Sequence, residues 1–300
     1  MHGEGLRSIF DEFREQGVQA IEAGRIEEAA TFFDRALAWA REQGDGRQID
    51  LAVCNRAAAA IDLGRGEGEL PRLREILMRN GDPVNCRVAA YNIARHYELA
   101  KSYKKALFYA RIARERSEAL GRRDWLASSY NLIGNTLLAE SFVEQASEEY
   151  EQALALMPEE PSLALAGILD NLGYCRILQG RRREGYTLLY RSLHLMRRLG
   201  NEQHEATVRL DLCFAHLETG RNRSARHQGM RALEIAEKLG NTHQIKNALY
   251  LVGEVESLEG NVVAARAHFT RLQREFFPEA SYLPGFLLAV DVRNLVNLHA

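Results

Sequence analysis

Apolar residues recur along this chain at spacings of three and four, in segments of about 12–20 residues that run in pairs. Phe142, Ala146, Tyr150, Ala153 and Leu154 mark one such stripe, and Ala225, Ala232, Leu233 and Ala236 another. That spacing gathers apolar side chains on one face of a 3.6-residue helix. No run alternates with period two for long enough to propose a sheet. The pattern predicts seven helix pairs. Their first helices fall at about 4–23, 48–63, 84–100, 124–139, 162–179, 202–219 and 242–259. The second helices fall at about 26–42, 69–80, 103–120, 143–156, 182–199, 222–239 and 261–276. An eighth, unpaired helix is predicted over about 286–298.

The breaks between helices repeat as regularly as the stripes. Gly180, Gly220 and Gly260 stand 40 residues apart, as do Gly200 and Gly240, and Gly24 and Gly64. Between Gly64 and Gly180 the matching turns are expected near Ala100–Ser102 and Glu140–Ser141. Gly200-Asn201 and Gly240-Asn241 suit the left-handed residue that ends a helix, and Pro83 and Pro161 suit a first helical turn. A fixed period of this size marks a solenoid, which grows by stacking and not by enlarging one core. A single solenoid over residues 1–300 is therefore expected. Its irregular repeat lies at 64–83, where Gly64, Gly66 and Gly68 crowd one turn and Asn80-Gly81-Asp82-Pro83 shortens the next helix. That stretch reads either as a worn repeat or as a joint.

Small residues stand where the two helices of a pair must touch. Ala29 and Ala36, Ala106 and Ala113, Ala146 and Ala153, and Ala225 and Ala232 are each seven apart. Twelve residues before the first of each lies Gly17, Ala94, Gly134 or Cys213. Gly173 likewise precedes Gly185, and Gly253 precedes Ala265. This small–large template, as in NLGYCRILQG and EEYEQALALMP, resembles the tetratricopeptide repeat from about Gly17 to Phe276. The repeats here are about 40 residues long against the family's 34, which resembles the longer-helix variant of kinesin light chains and bacterial peptide-sensing regulators. The resemblance implies an all-α, right-handed superhelical solenoid that binds peptides or protein segments, with the first helix of each pair lining a concave wall.

On that wall several Asn and Asp residues share one register: Asn55, Asn92, Asn171 and Asp211. Near them fall Tyr91, Arg95, Asn131, Asn135, Asp170, Tyr174, Phe214, Tyr250 and Glu254. An amide side chain both donates and accepts, so it can grip an extended peptide backbone or bond a neighbouring repeat. These residues are the candidate peptide-binding set, and both uses are open for the Asn residues.

Composition fits a folded chain: 46% hydrophobic, 27% charged, six prolines and net charge −2. That balance exerts no general pull toward nucleic acid or anionic membrane. No stretch is apolar enough to predict a membrane span, and the first residues do not form a secretory signal. Cys54, Cys86, Cys175 and Cys213 have no paired spacing, so reduced thiols and a cytoplasmic location are expected.

The charge is unevenly spread. From Asp124 through Cys175 there is no Lys or Arg, and then a basic segment begins. Arg181, Arg182, Arg183, Arg221 and Arg223 open second helices, where positive charge opposes the helix dipole. They form a candidate basic surface for an acidic partner segment or for the acidic fourth repeat of a second copy. Few aromatics interleave with these arginines, which disfavours nucleic acid. The segment FLLAVDVRNLVNLHA is apolar on more than one side. It either covers the seventh repeat or pairs with a second copy or with further chain.

No enzyme signature stands in a suitable context. GRGEGE has glycines but no following Lys-Ser/Thr and no preceding strand, and no His pair has metal-ligand spacing. No catalytic residue, cofactor or metal is expected. The expectation is a non-enzymatic scaffold that binds a peptide or protein segment, or a regulatory sensor in which peptide binding controls a partner.

Overall fold

Left-handed turns cut the chain into its helices. Nine glycines among the described residues hold positive φ, between 65° and 78°, Gly180, Gly220 and Gly260 among them. A side chain disfavours this conformation, and glycine has none. Two turns of the series lack glycine, and there Lys101 (φ 54°) and Ser141 (φ 65°) adopt it instead. The register expected near Ala100–Ser102 and Glu140–Ser141 is therefore the one observed.

The computed structural model describes residues 8–293 and 297–299. Among these the fold is all-helical. The first helices are α1 (Ile9–Glu22), α3 (Gly46–Asp62), α5 (Pro83–Leu99), α7 (Arg123–Ala139), α9 (Leu163–Leu178), α11 (Glu202–Glu218) and α13 (Thr242–Leu258). The second helices are α2 (Ile26–Gln43), α4 (Leu70–Arg79), α6 (Tyr103–Ala119), α8 (Val143–Leu156), α10 (Arg182–Arg198), α12 (Asn222–Leu239) and α14 (Val262–Phe276). A short α15 (Leu283–Ala289) follows. Side-chain caps fix several starts: Asp82 accepts from the Asn85 amide ahead of Pro83, and Asn201 and Asn241 accept from the amides of His204 and Gln244. Asn201 thus begins a helix, while Gly200 ends the one before. Pro161 lies outside the first turn expected of it, because Ser162 caps α9.

Within a pair, close approach is a matched exchange of bulk. A Cβ on Gly17 would lie 2.3 Å from the Phe33 ring, and one on Gly253 would lie 2.3 Å from the Phe269 ring. In both cases an aromatic sixteen residues on lies across a bare helix backbone. In the sixth pair the roles reverse: Cys213 stands on the first helix and Gly229 on the second, where an added Cβ would come within 3.0 Å of the sulfur. Such contacts leave no slack for extra atoms.

The chain divides into two compact units, one over Met1–Glu140 with Ala155–Met157, the other over Ser141–Leu154 with Pro158–Ala300. In the first, α3, α5 and α7 pack in a row with α2, α4 and α6 behind them. Its core includes Leu37, Leu70, Leu73, Ile76 and Ile93. In the second, α9, α11 and α13 form the row, backed by α10, α12 and α14. The division falls at Glu140–Ser141 and not at 64–83. The latter stretch carries a 3₁₀ turn, Gly66–Glu69, whose Glu69 pairs with Arg56 at 2.8 Å and whose Gly66 is buried.

The terminal helix departs from expectation. α15 begins at Leu283, with Pro284 in its first turn, and ends at Ala289. Val290 is extended, as suits the β-branched Val-Asp-Val that follows. The expected residues 294–296 lie outside the described set. Leu287, Val292 and Leu298 are buried within this chain, while Phe286 and Val290 are exposed.

Candidate functional site

The first-helix row of each unit gathers the candidate residues, and the two rows differ. In the first unit Tyr91 is half-buried with the Arg87 guanidinium 4.6 Å from its ring centre. Arg95 pairs with Asp62 across to α3. Glu98, one turn on, is pushed up to about 7 by burial, against the pull of Arg95 and a hydrogen bond from Asn135. Asn55 and Asn131 lie half-buried on α3 and α7.

Asn92 does not belong to an open site. Its amide donates to the Cys54 carbonyl of α3 at 2.7 Å, and the side chain is buried. Asn85 does the same to Arg47 at 2.9 Å, and Gln244 to Gln203 at 2.7 Å. These side chains tie each first helix to the one before it. A buried carbonyl left without such a donor costs about 1–3 kcal/mol. The inter-repeat use of the amide therefore holds for Asn92.

In the second unit the row is acidic and aromatic. Asp170 on α9 and Asp211 on α11 are 4% and 2% exposed. Burial, and then the charge of Asp211, push the Asp170 carboxyl well above the usual carboxylate range. Tyr174 and Phe214 pack with ring centres 5.4 Å apart. On α13, Tyr250 and Glu254 are buried, and burial raises Glu254 to about 7 despite Arg293. Three buried polar atoms here, Asp170 Oδ1, the Tyr250 hydroxyl and Glu254 Oε1, find no partner among the described residues. Burying such atoms unpaired is costly. Asn171 lies half-buried beside Asp170.

The segment after α15 supplies groups to this wall. His299 Nε2 lies 3.2 Å from both carboxylate oxygens of Asp211, and its ring centre is 4.4 Å from that of Tyr174. Burial works against a charged imidazole, but the Asp211 carboxylate outweighs it and raises His299 from its ordinary value. Leu298 is buried and, with Arg293, lines a small recess together with Phe214, Leu217, Tyr250 and Leu251. Its carbonyl accepts from the Asn247 amide at 3.2 Å. Arg293 lies 4.0 Å from Glu254 and 3.9 Å from Glu218.

Glu98, Glu218, Arg293, Leu298 and His299 were not in the sequence-derived set. The signal for the last three was the excess of apolar residues in the final stretch, with a histidine directly after a leucine.

Arg181, Arg182, Arg183, Arg221 and Arg223 are exposed. Arg182, Arg183 and Arg221 border one depression with Tyr186 and Tyr190. Arg181 pairs with Glu184 at 2.6 Å, and Arg221 lies 5.2 Å above the Tyr186 ring. The four cysteines are free and buried. Among the described residues no three His, Cys, Asp or Glu are placed to hold a metal, and no helix is long and apolar enough to cross a membrane.

Helix pairs with left-handed turns, small-for-large packing within each pair and a row of first helices in each unit together define the repeat. Solved structures share it. A Rap protein complexed with competence and sporulation factor matches over 95% of this chain and 78% of its own, with TM-score 0.72 at 13% identity. The fold is that of tetratricopeptide-repeat proteins. The apo form of the quorum sensor NprR from B. thuringiensis matches over 89% of this chain and 77% of its own, with TM-score 0.65 at 16% identity. A tetratricopeptide repeat protein from Parabacteroides merdae matches over 94% and 98%, with TM-score 0.52 at 14% identity. Neither a protein-family model nor a curated protein matches the chain.

Proposed function

We propose that this chain is a binding protein and not an enzyme, and that its first-helix rows receive a peptide or a segment of a partner protein. The observation that carries this reading is the second unit's wall. Residues 298 and 299 of this chain already lie against it: Leu298 is buried beside Phe214 and Tyr250, its carbonyl takes a side-chain amide, and His299 meets a carboxylate. Those are the three kinds of contact by which a peptide is bound: apolar pocket, backbone grip and charge. Four free buried thiols are in keeping with a cytoplasmic location.

A regulatory role is the second reading. It draws on the likeness to a quorum sensor and to a Rap protein solved with a sporulation factor. The arginine surface on α10 and α12 would be a second contact, suited to an acidic partner segment. The test is selection of random peptides on the full chain. The expected ligands lose binding in Tyr174→Ala or Asp211→Asn and keep it in Arg182→Ser/Arg183→Ser. Ligands that behave the opposite way would move the site to the second helices.

A further inference from the structure

Resting on that peptide-binding reading, we infer that the segment after α15 is a resident, displaceable occupant of the second unit's wall. The partner that replaces it presents a cationic side chain beside a leucine-sized apolar one. The argument begins with charge. Asp170, Asp211, Glu218 and Glu254 all face this wall, on three neighbouring helices. The segment answers with His299 against Asp211, and with Arg293, which pairs first with Asp291 of the same segment and stands 3.9 Å from Glu218 and 4.0 Å from Glu254. Removing it would leave buried carboxylates without a counter-charge, a state that costs several kcal/mol unless protons or another cation arrive.

The contacts are also those of a guest and not of a built-in helix. Among the described residues after α15 none belongs to a further α-helix, and their hold is local. Leu298 is buried beside Phe214 and Tyr250, Asn247 donates to its carbonyl, and the imidazole lies against Tyr174 beside the Asp211 carboxylate. Asn297 reaches Ser141 at 3.3 Å. Even so, Asp170 Oδ1, the Tyr250 hydroxyl and Glu254 Oε1 stay unpaired among the described residues. A guest with a larger, many-donor cation, such as a guanidinium, could reach more of them than an imidazole can. Because the segment is tethered, it competes at an effective concentration on the order of millimolar, which sets a threshold that a free peptide must exceed.

The test uses the full chain. A fluorescein-labelled peptide of residues 290–300 is titrated into wild type and into Leu298→Asp/His299→Ala, with fluorescence anisotropy as readout. If the tethered segment fills the wall nine-tenths of the time, releasing it tightens peptide binding about tenfold. The released variant should therefore bind the peptide at least about tenfold more tightly than wild type. Adding Asp211→Asn to the released variant should abolish that binding. Arg or Lys in place of the peptide's histidine should keep it, and Glu should lose it. Equal binding by wild type and the released variant overturns the resident occupant, and equal binding of the Glu peptide overturns the cationic partner. Peptides selected at random that still depend on Tyr174 would then leave the binding wall standing without its resident. If those peptides also ignore Tyr174, the wall itself falls.

Discussion

The two units present first-helix rows of the same make, yet several polar groups of the first pair with adjoining helices, while several of the second meet the segment after α15 or find no partner among the described residues. In the first unit Arg95 meets Asp62, Glu98 takes a bond from Asn135, and Asn92 is tied to the Cys54 carbonyl. In the second unit Asp170 and Asp211 confront one another, and cationic groups come from the segment after α15. The repeat scaffold thus fixes where wall residues stand. Whether they bind outward or inward depends on whether a complementary group sits on the adjoining helix.

The largest test of this contrast is aromatic truncation. Tyr174 is 2% exposed beneath His299, so Tyr174→Ala should cost about 3–5 kcal/mol in urea denaturation. Tyr91 is half-buried against Arg87, and Tyr91→Ala should cost about 1 kcal/mol. Equal losses would mean that the second wall is no more enclosed than the first. Next come the raised carboxyls. Glu98 and Glu254 go from 4.5 in the unfolded chain to about 7 in the folded one. The folded state therefore holds extra protons between these values, and stability falls as pH rises through that window. Glu254→Gln should gain up to about 3 kcal/mol above pH 7 and nothing below pH 4.5. Glu98→Gln, less enclosed, should gain less. A gain that does not vary with pH would refute the cause.

Smaller effects sharpen the same comparison. Asn92→Ala removes a buried hydrogen bond between α5 and α3 and should cost about 1 kcal/mol by thermal unfolding. Asn55, whose amide nitrogen has no partner among the described residues, should tolerate alanine to within about 0.5 kcal/mol. Lys101→Gly should stabilise by about 0.5–1 kcal/mol by relieving a left-handed side chain. Ser141→Gly relieves the same strain but gives up the contact with Asn297, so its gain should be the smaller of the two.

The helices were readable because their causes are local. Turn glycines at a period of 40 and apolar stripes place every paired helix described, and the register survives even where Lys101 and Ser141 replace glycine. The fate of a wall residue is not local. Asn92 and Asp211 share a register, but Asn92 meets a backbone carbonyl 38 residues earlier and Asp211 meets a histidine 88 residues later. Nothing near either residue in sequence distinguishes them. The final stretch was ambiguous for the same reason. Apolar residues on two sides of FLLAVDVRNLVNLHA fit a cover for the seventh repeat, a seam with a second copy or a contact with further chain. The groups that His299 and Leu298 meet, Tyr174, Asp211 and Asn247, come from three separate repeats, which no local pattern links.

The central claim rests on one imidazole, and a proton NMR titration of His299 in the full chain, assigned by comparison with His299→Gln, tests it most directly. Asp211 and Tyr174 face the ring, with Asp170 beside them. The account predicts that His299 titrates above 6.5 and returns toward that ordinary value in Asp211→Asn. A His299 signal that titrates at the ordinary value and ignores Asp211→Asn would contradict the seating of this segment on the second unit's wall.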